Sequence, residues 1–177
     1  QPKYRLPEVQ AFTPDEMRKL INAAEWTLNV KSKNGKSYRM HRPMFKRNVA
    51  LIKLMFDTGL RIGEISRLKI KDVDLTNGSV VVAPFGTGQK TKPRMVYLGK
   101  SALHSIWLFL AEREADDPTD SLFGVNVRSL RSLIRSIGNN AGVENCHPHR
   151  FRHTFAIEFL RKSRDPFTLM RLLGHSN

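Results

Sequence analysis

Between Ile70 and Leu98 the apolar period of the chain switches from that of a helix to that of a strand. The runs IKDVDL (70–75), SVVVAP (79–84) and RMVYL (94–98) are short, rich in β-branched residues and separated by turn residues. Asn77-Gly78 predicts a tight hairpin between the first two, and the longer FGTGQKTKP segment joins the second to the third. The rest of the chain has helical spacing. The fold expected is therefore mainly α with a small three-stranded antiparallel β-sheet, an α+β domain.

The helices announce their ends. TPDE places Thr13 as N-cap, Pro14 at the first helical position and Glu16 to close a capping box, with Met17, Leu20, Ile21 and Ala24 as the buried stripe. A second helix runs from Pro43 through Phe45, Val49, Leu51, Ile52, Met55 and Phe56, and Gly59 stops it as a left-handed cap. Three more begin near Ser101, Asn126 and His149, and a short last one runs from Asp165-Pro166 to Gly174. Phe151, Phe155 and Phe159 form the stripe expected to anchor the His149 helix in the core. At 177 residues the chain is most economically one domain, spanning 1–177.

Charge limits the class of partner. Thirty Lys and Arg face sixteen Asp and Glu, a net charge of +14, which calls for a polyanion, most commonly nucleic acid. Between Lys31 and Lys53 lie eight basic residues and no acid, in a loop or small hairpin turning at Asn34-Gly35. Lys31, Lys33, Lys36, Arg39 and Arg42 in that segment are candidate DNA contacts, with a solvated loop as the alternative. Arg128 and Arg131, with Arg135, line one face of the Asn126 helix and carry the same two readings. No apolar run reaches the ~20 residues of a membrane span, and no signal peptide is visible. The single cysteine, Cys146, precludes an internal disulfide and fits a reducing, cytoplasmic setting.

Chemistry concentrates in three places. HPHRFRHTFA (147–156) puts His149, Arg152 and His153 on one helical face. TGLRIGE puts Arg61 just past a glycine-capped helix end with Glu64 three residues on, and LLGHSN puts His175 right after Gly174. Zinc at His147, His149 and His153 is disfavoured, because arginines crowd them and thiolate or carboxylate ligands are lacking. No metal and no cofactor is expected.

The stretches TGLRIGEISRLKIKDVDL, HRFRHTFAIEFL and LLGHS, in that order, resemble the boxes of the tyrosine recombinases, the phage-integrase family of site-specific recombinases. FTPDEMRKLINAA resembles the start of that family's catalytic domain. The resemblance implies a catalytic site of Arg61, Lys90, His149, Arg152 and His175, with Lys92 as a competitor for Lys90 on the hairpin loop. Glu64 then orients an arginine or lysine, the alternative being an exposed ion pair. His153 is expected to be structural, its ring hydrogen-bonded within the helix packing.

These residue types suit the implied reaction. Cleaving DNA without a metal requires stabilising a five-coordinate phosphorane, and two planar, permanently charged guanidinium groups can hold its oxygens from two sides. A lysine can protonate the leaving 5′ oxygen, and histidines can donate to the phosphate or move the nucleophile's proton. The resemblance further implies strand exchange on duplex DNA through a transient 3′-phosphotyrosyl link, by a homotetramer on DNA, with an isolated domain expected to be monomeric. An inactive DNA-binding regulator of the same fold and a type IB topoisomerase are the alternatives. The family's tyrosine lies beyond the last histidine, and Tyr4, Tyr38 and Tyr97 all lie upstream, Tyr97 expected to pack on its strand. The chain thus reads as a catalytic domain lacking the N-terminal DNA-gripping domain and the tail that carries the nucleophile.

Overall fold

Thr13 opens helix α1 (Pro14–Glu25) with the complete capping box: its hydroxyl accepts from Glu16 N while Glu16 Oε2 accepts from Thr13 N at 2.8 Å. The structure, a computed structural model, describes residues 10–27, 30–84, 93–113 and 117–174. Lys90, Lys92, His175 and Tyr4 lie outside the described residues. A two-stranded hairpin of β1 (Val30–Lys31) and β2 (Ser37–Tyr38) follows α1, turning at Gly35, whose φ of 74° needs glycine. Its base is closed by a ring stack: His41 lies between Trp26 and Phe45, with centroids 3.9 and 4.1 Å away, and Arg39 sits over the Trp26 ring.

Helix α2 (Phe45–Thr58) runs through the middle of the molecule. Ala50, Leu51, Ile52, Leu54, Met55 and Phe56 are all buried, and α1, α4 (Lys100–Leu110) and α6 (Pro148–Ser163) pack around it. Its C-cap Gly59 has φ 58°, and a methyl there would lie 2.5 Å from the Phe155 ring. Glycine is needed twice at this position, for the turn and for the approach of α6. A one-turn helix α3 (Ile62–Ile65), which the sequence reading did not anticipate, follows at once.

The three-stranded sheet has the order β3 (Val73–Asp74), β4 (Ser79–Val82), β5 (Arg94–Tyr97), all antiparallel, with Val80 opposite Val96 and Val82 opposite Arg94. Two details differ from expectation. Residues 70–72 form a 3₁₀ turn, its backbone N–H groups bonded to Pro118 and Asp120 carbonyls. The β3–β4 connection is four residues long, because the Asp74 carboxylate captures the Thr76 and Asn77 N–H groups in place of a two-residue turn. Val80, Val82 and Val96 face the core, whereas Val81, Met95 and Tyr97 face outward. Tyr97 is 61% exposed, not packed.

Helix α5 (Val127–Ala141), capped by Asn126, buries Leu130, Ile134 and Ile137 and leaves Arg128, Arg131 and Arg135 exposed. Helix α6 anchors differently from the predicted phenylalanine stripe. Phe151 packs edge-on with Phe12 and tilted on Phe56, but Phe155 and Phe159 are only half-buried. The buried face is Arg150, Phe151 and Thr154, one turn apart, because α6 must also hold the incoming chain. Arg150 donates to the carbonyls of Gln10 and Glu144 and to both oxygens of Glu16 at 2.9 and 3.0 Å, and lies 4.0 Å over the Phe12 ring. Helix α7 (Pro166–Leu173) ends at Gly174. Among the described residues no helix is long and apolar enough to cross a membrane.

Candidate active site

Arg61 is the N-cap of α3, so its position follows from the Gly59 turn. Three residues on, Glu64 reaches back: its Oε2 accepts from the Arg61 backbone N–H at 2.8 Å, and its Oε1 lies 3.4 Å from Arg61 Nη1. Glu64 is buried, which an unpaired carboxylate could not bear. Its partner is Arg94 on β5, which donates from Nη1 and Nη2 to the two oxygens at 2.9 and 2.8 Å. Burial would raise the Glu64 carboxyl, but the hydrogen bonds from Arg94 and the Arg61 backbone outweigh it and hold the group below its usual range. The Arg61 side chain itself stays 39% exposed.

Arg152, on α6, donates from Nη1 to the Gly59 carbonyl at 3.0 Å and from Nη2 to the Leu173 carbonyl at 2.8 Å. Two carbonyls at helix ends are thereby satisfied by one guanidinium, which is fixed between the end of α2 and the end of α7. Burial, with Arg61 and Arg94 close by, pulls its pKa down to about 10, still charged at neutral pH. A half-buried guanidinium with two further guanidinium groups close by makes a good anion seat. His149, one turn earlier on the same face, is exposed.

These groups share one cleft of about 360 Å³, whose lining includes Arg61, Glu64, Arg67, Arg131, His149 and Arg152. Of the residues picked from sequence, Arg61, Glu64, His149, Arg152 and Arg131 come together here. Arg128, one turn before Arg131 on α5, is exposed outside the lining. Lys31, Lys33, Lys36 and Arg39 are exposed on or beside the β1–β2 hairpin, Arg42 is half-buried, and none lines the cleft. His153 is half-buried, and the ring hydrogen bond expected of it does not occur among the described residues. No group of three His, Cys, Asp or Glu able to hold a metal occurs among the described residues.

Sequence reasoning missed Arg67, Arg94 and Arg150. Arg94 had a signal: it stands in phase with Val96 on the core-facing side of β5, and a basic residue at an inward strand position needs a partner. Arg150 carried none, since the neighbouring arginine in the same box fitted the expected role.

Residues 10–177 match the Phage integrase family. The chain belongs to that family. The tyrosine recombinase XerC of Actinobacillus pleuropneumoniae serotype 7 (strain AP76) is 36% identical over 145 residues, which cover 77% of this chain and 46% of the relative. Among solved structures, XerA recombinase is similar with a TM-score of 0.74 at 26% identity, covering all of this chain and 57% of that one. XerH site-specific recombinase bound to its difH substrate gives a TM-score of 0.67 at 27% identity, over 94% of this chain and 47% of that one. The chain spans about half the length of the curated relatives it matches. The integrase match takes in the α2–α3 junction, α5 and α6, the elements that contribute Arg61, Arg131, His149 and Arg152 to the cleft.

Proposed function

We propose that this domain is the catalytic part of a site-specific recombinase that breaks and rejoins duplex DNA through a transient 3′-phosphotyrosyl link. The observation that carries this is the convergence of Arg61, His149 and Arg152 on one cleft, with Arg152 held by two backbone carbonyls. Arg61 and Arg152 take the non-bridging oxygens of the scissile phosphate from α3 and α6, and preorganised donors of this kind contribute roughly 3–4 kcal/mol each to the transition state. His149 donates to the same phosphate, and His175, next in sequence after the Gly174 cap, is the further proton carrier. A tyrosine hydroxyl attacks phosphorus in line, the bond to the 5′ oxygen breaks, and Lys90 protonates that oxygen. Arg131 and Arg128 on α5, with Lys31, Lys33, Lys36, Arg39 and Arg42, carry the flanking DNA backbone, and the full-length protein works in the cytoplasm as a tetramer on DNA.

Among the described residues neither Tyr38 nor Tyr97 lines the cleft, and on the recombinase reading the attacking hydroxyl is assigned to a tyrosine that follows His175 in the full-length protein. The test mixes full-length protein with a nicked suicide substrate and looks for a protein–DNA adduct that survives denaturant. Duplex binding without any adduct would make the protein an inactive regulator, and relaxation of any supercoil without exchange would make it a topoisomerase. Lys90→Ala should slow cleavage and recover with a better leaving group at the 5′ position. That rescue appearing for Lys92→Ala alone would move the acid two residues on.

A further inference from the structure

All three guanidinium nitrogens of Arg94 donate to groups inside the protein. Nη1 and Nη2 hold the two Glu64 oxygens at 2.9 and 2.8 Å, and Nε donates to the Leu172 carbonyl at 2.6 Å. A methyl on Gly174 would lie 2.8 Å from Arg94 Nη1, so the backbone just ahead of His175 rests on the guanidinium. The side chain is only 8% exposed and does not line the cleft. It cannot touch a phosphate there.

Among the described residues Glu64 is the one carboxylate in the lining of the arginine cleft, and any carboxylate there competes with phosphate for guanidinium groups. In this structure the competition is settled by distance. Arg94 takes both Glu64 oxygens in a fork, whereas Arg61 Nη1 stands off at 3.4 Å and remains half-exposed. Resting on the recombinase reading, we propose that Arg94 is a positioning residue: it occupies the Glu64 carboxylate and so leaves the Arg61 guanidinium available for the substrate phosphate. Without it the buried carboxylate is left to the cations of the cleft itself and draws in the Arg61 side chain, which already stands 3.4 Å away. The same guanidinium also joins β5, the strand that follows the Lys90 segment, to the end of α7 that precedes His175.

Full-length protein carrying Arg94→Ala, Glu64→Gln, both, or neither is assayed for adduct formation at saturating DNA, for duplex affinity, and for binding of inorganic phosphate. Arg94→Ala should slow adduct formation about tenfold or more and weaken phosphate binding, with duplex affinity within about twofold of the parent. Glu64→Gln in that background should restore most of both losses, because the amide keeps the acceptor for Arg61 N–H and removes the competing charge. A plain structural staple predicts the opposite, a double variant at least as impaired as Arg94→Ala. That result, or an Arg94→Ala protein matching the parent, overturns the proposal. Should Arg94→Ala not fold, Arg94→Lys with and without Glu64→Gln asks the same question, since lysine keeps the charge and loses the fork. An unsubstituted protein that forms no adduct refutes the recombinase reading, while the phosphate titrations still decide the role of Arg94.

Discussion

Arg152 holds two backbone carbonyls while it waits for substrate, so its substitution removes a donor to the transition state and a tie between α2 and α7. Arg61 makes no such tie from its side chain. Arg61→Ala should therefore leave thermal stability near the parent value and cut cleavage by on the order of 10²–10³-fold. Arg152→Ala should lose as much activity and also lower the melting temperature, which thermal unfolding in parallel with suicide-substrate cleavage will separate. Glu64 and Glu16 both titrate below their ordinary 4.5, so the unfolded chain binds more protons than the folded one across that window. Their stabilisation is present above that ordinary value and is lost as pH falls through the lower folded-state values. Melting temperature should drop with acid, and Glu64→Gln should flatten the drop; an unchanged pH profile in that variant would count against the paired carboxylate.

Where one element meets the next, the geometry of the cleft is set by the α2–α3 turn. Gly59→Ala forces a side chain into left-handed backbone, costing roughly 1–3 kcal/mol, and drives a methyl into Phe155. It should depress the melting temperature and slow cleavage more than its stability loss explains, because both arginines are placed from that turn. This turn was legible in the sequence, as were the capping box at Thr13, the Asn126 and Asp165 caps and the three strands, since each rests on local chemistry within a few residues. What could not be read depends on the neighbour across the fold. The phenylalanine stripe of α6 looked like core by spacing, yet α6 turns Arg150 and Thr154 inward to receive Phe12 and its carbonyl neighbours. Tyr97 and Arg94 show the same limit on β5: strand alternation fixes which residues share a face, and only packing decides which face is wet. Arg61, His149 and Arg152 were found through their boxes, while Arg94, thirty residues from its partner Glu64, was not.

For the molecule as a whole, the recombinase proposal together with the +14 charge and a basic hairpin standing apart from the cleft predicts two footholds on DNA. Log affinity for duplex should fall linearly with log salt, at about −0.9 per phosphate neutralised, and the slope should shrink when Lys31, Lys33 and Lys36 are replaced together. An unchanged slope in that triple variant would leave the hairpin as a solvated loop. Residues 1–177 on their own should give no denaturant-resistant adduct with DNA, and a tail supplying a tyrosine should restore it. The stacked rings at the base of the hairpin also make that foothold visible to light. Trp26 is in face-to-face contact with His41 and carries Arg39 above it, whereas the second indole of the chain, Trp107, stands exposed on α4. Excited indole is quenched by a protonated imidazole in contact with it and responds to a departing guanidinium. With Trp107→Phe in place, the remaining ultraviolet emission becomes a label-free gauge of whether Arg39 has left its ring for a phosphate.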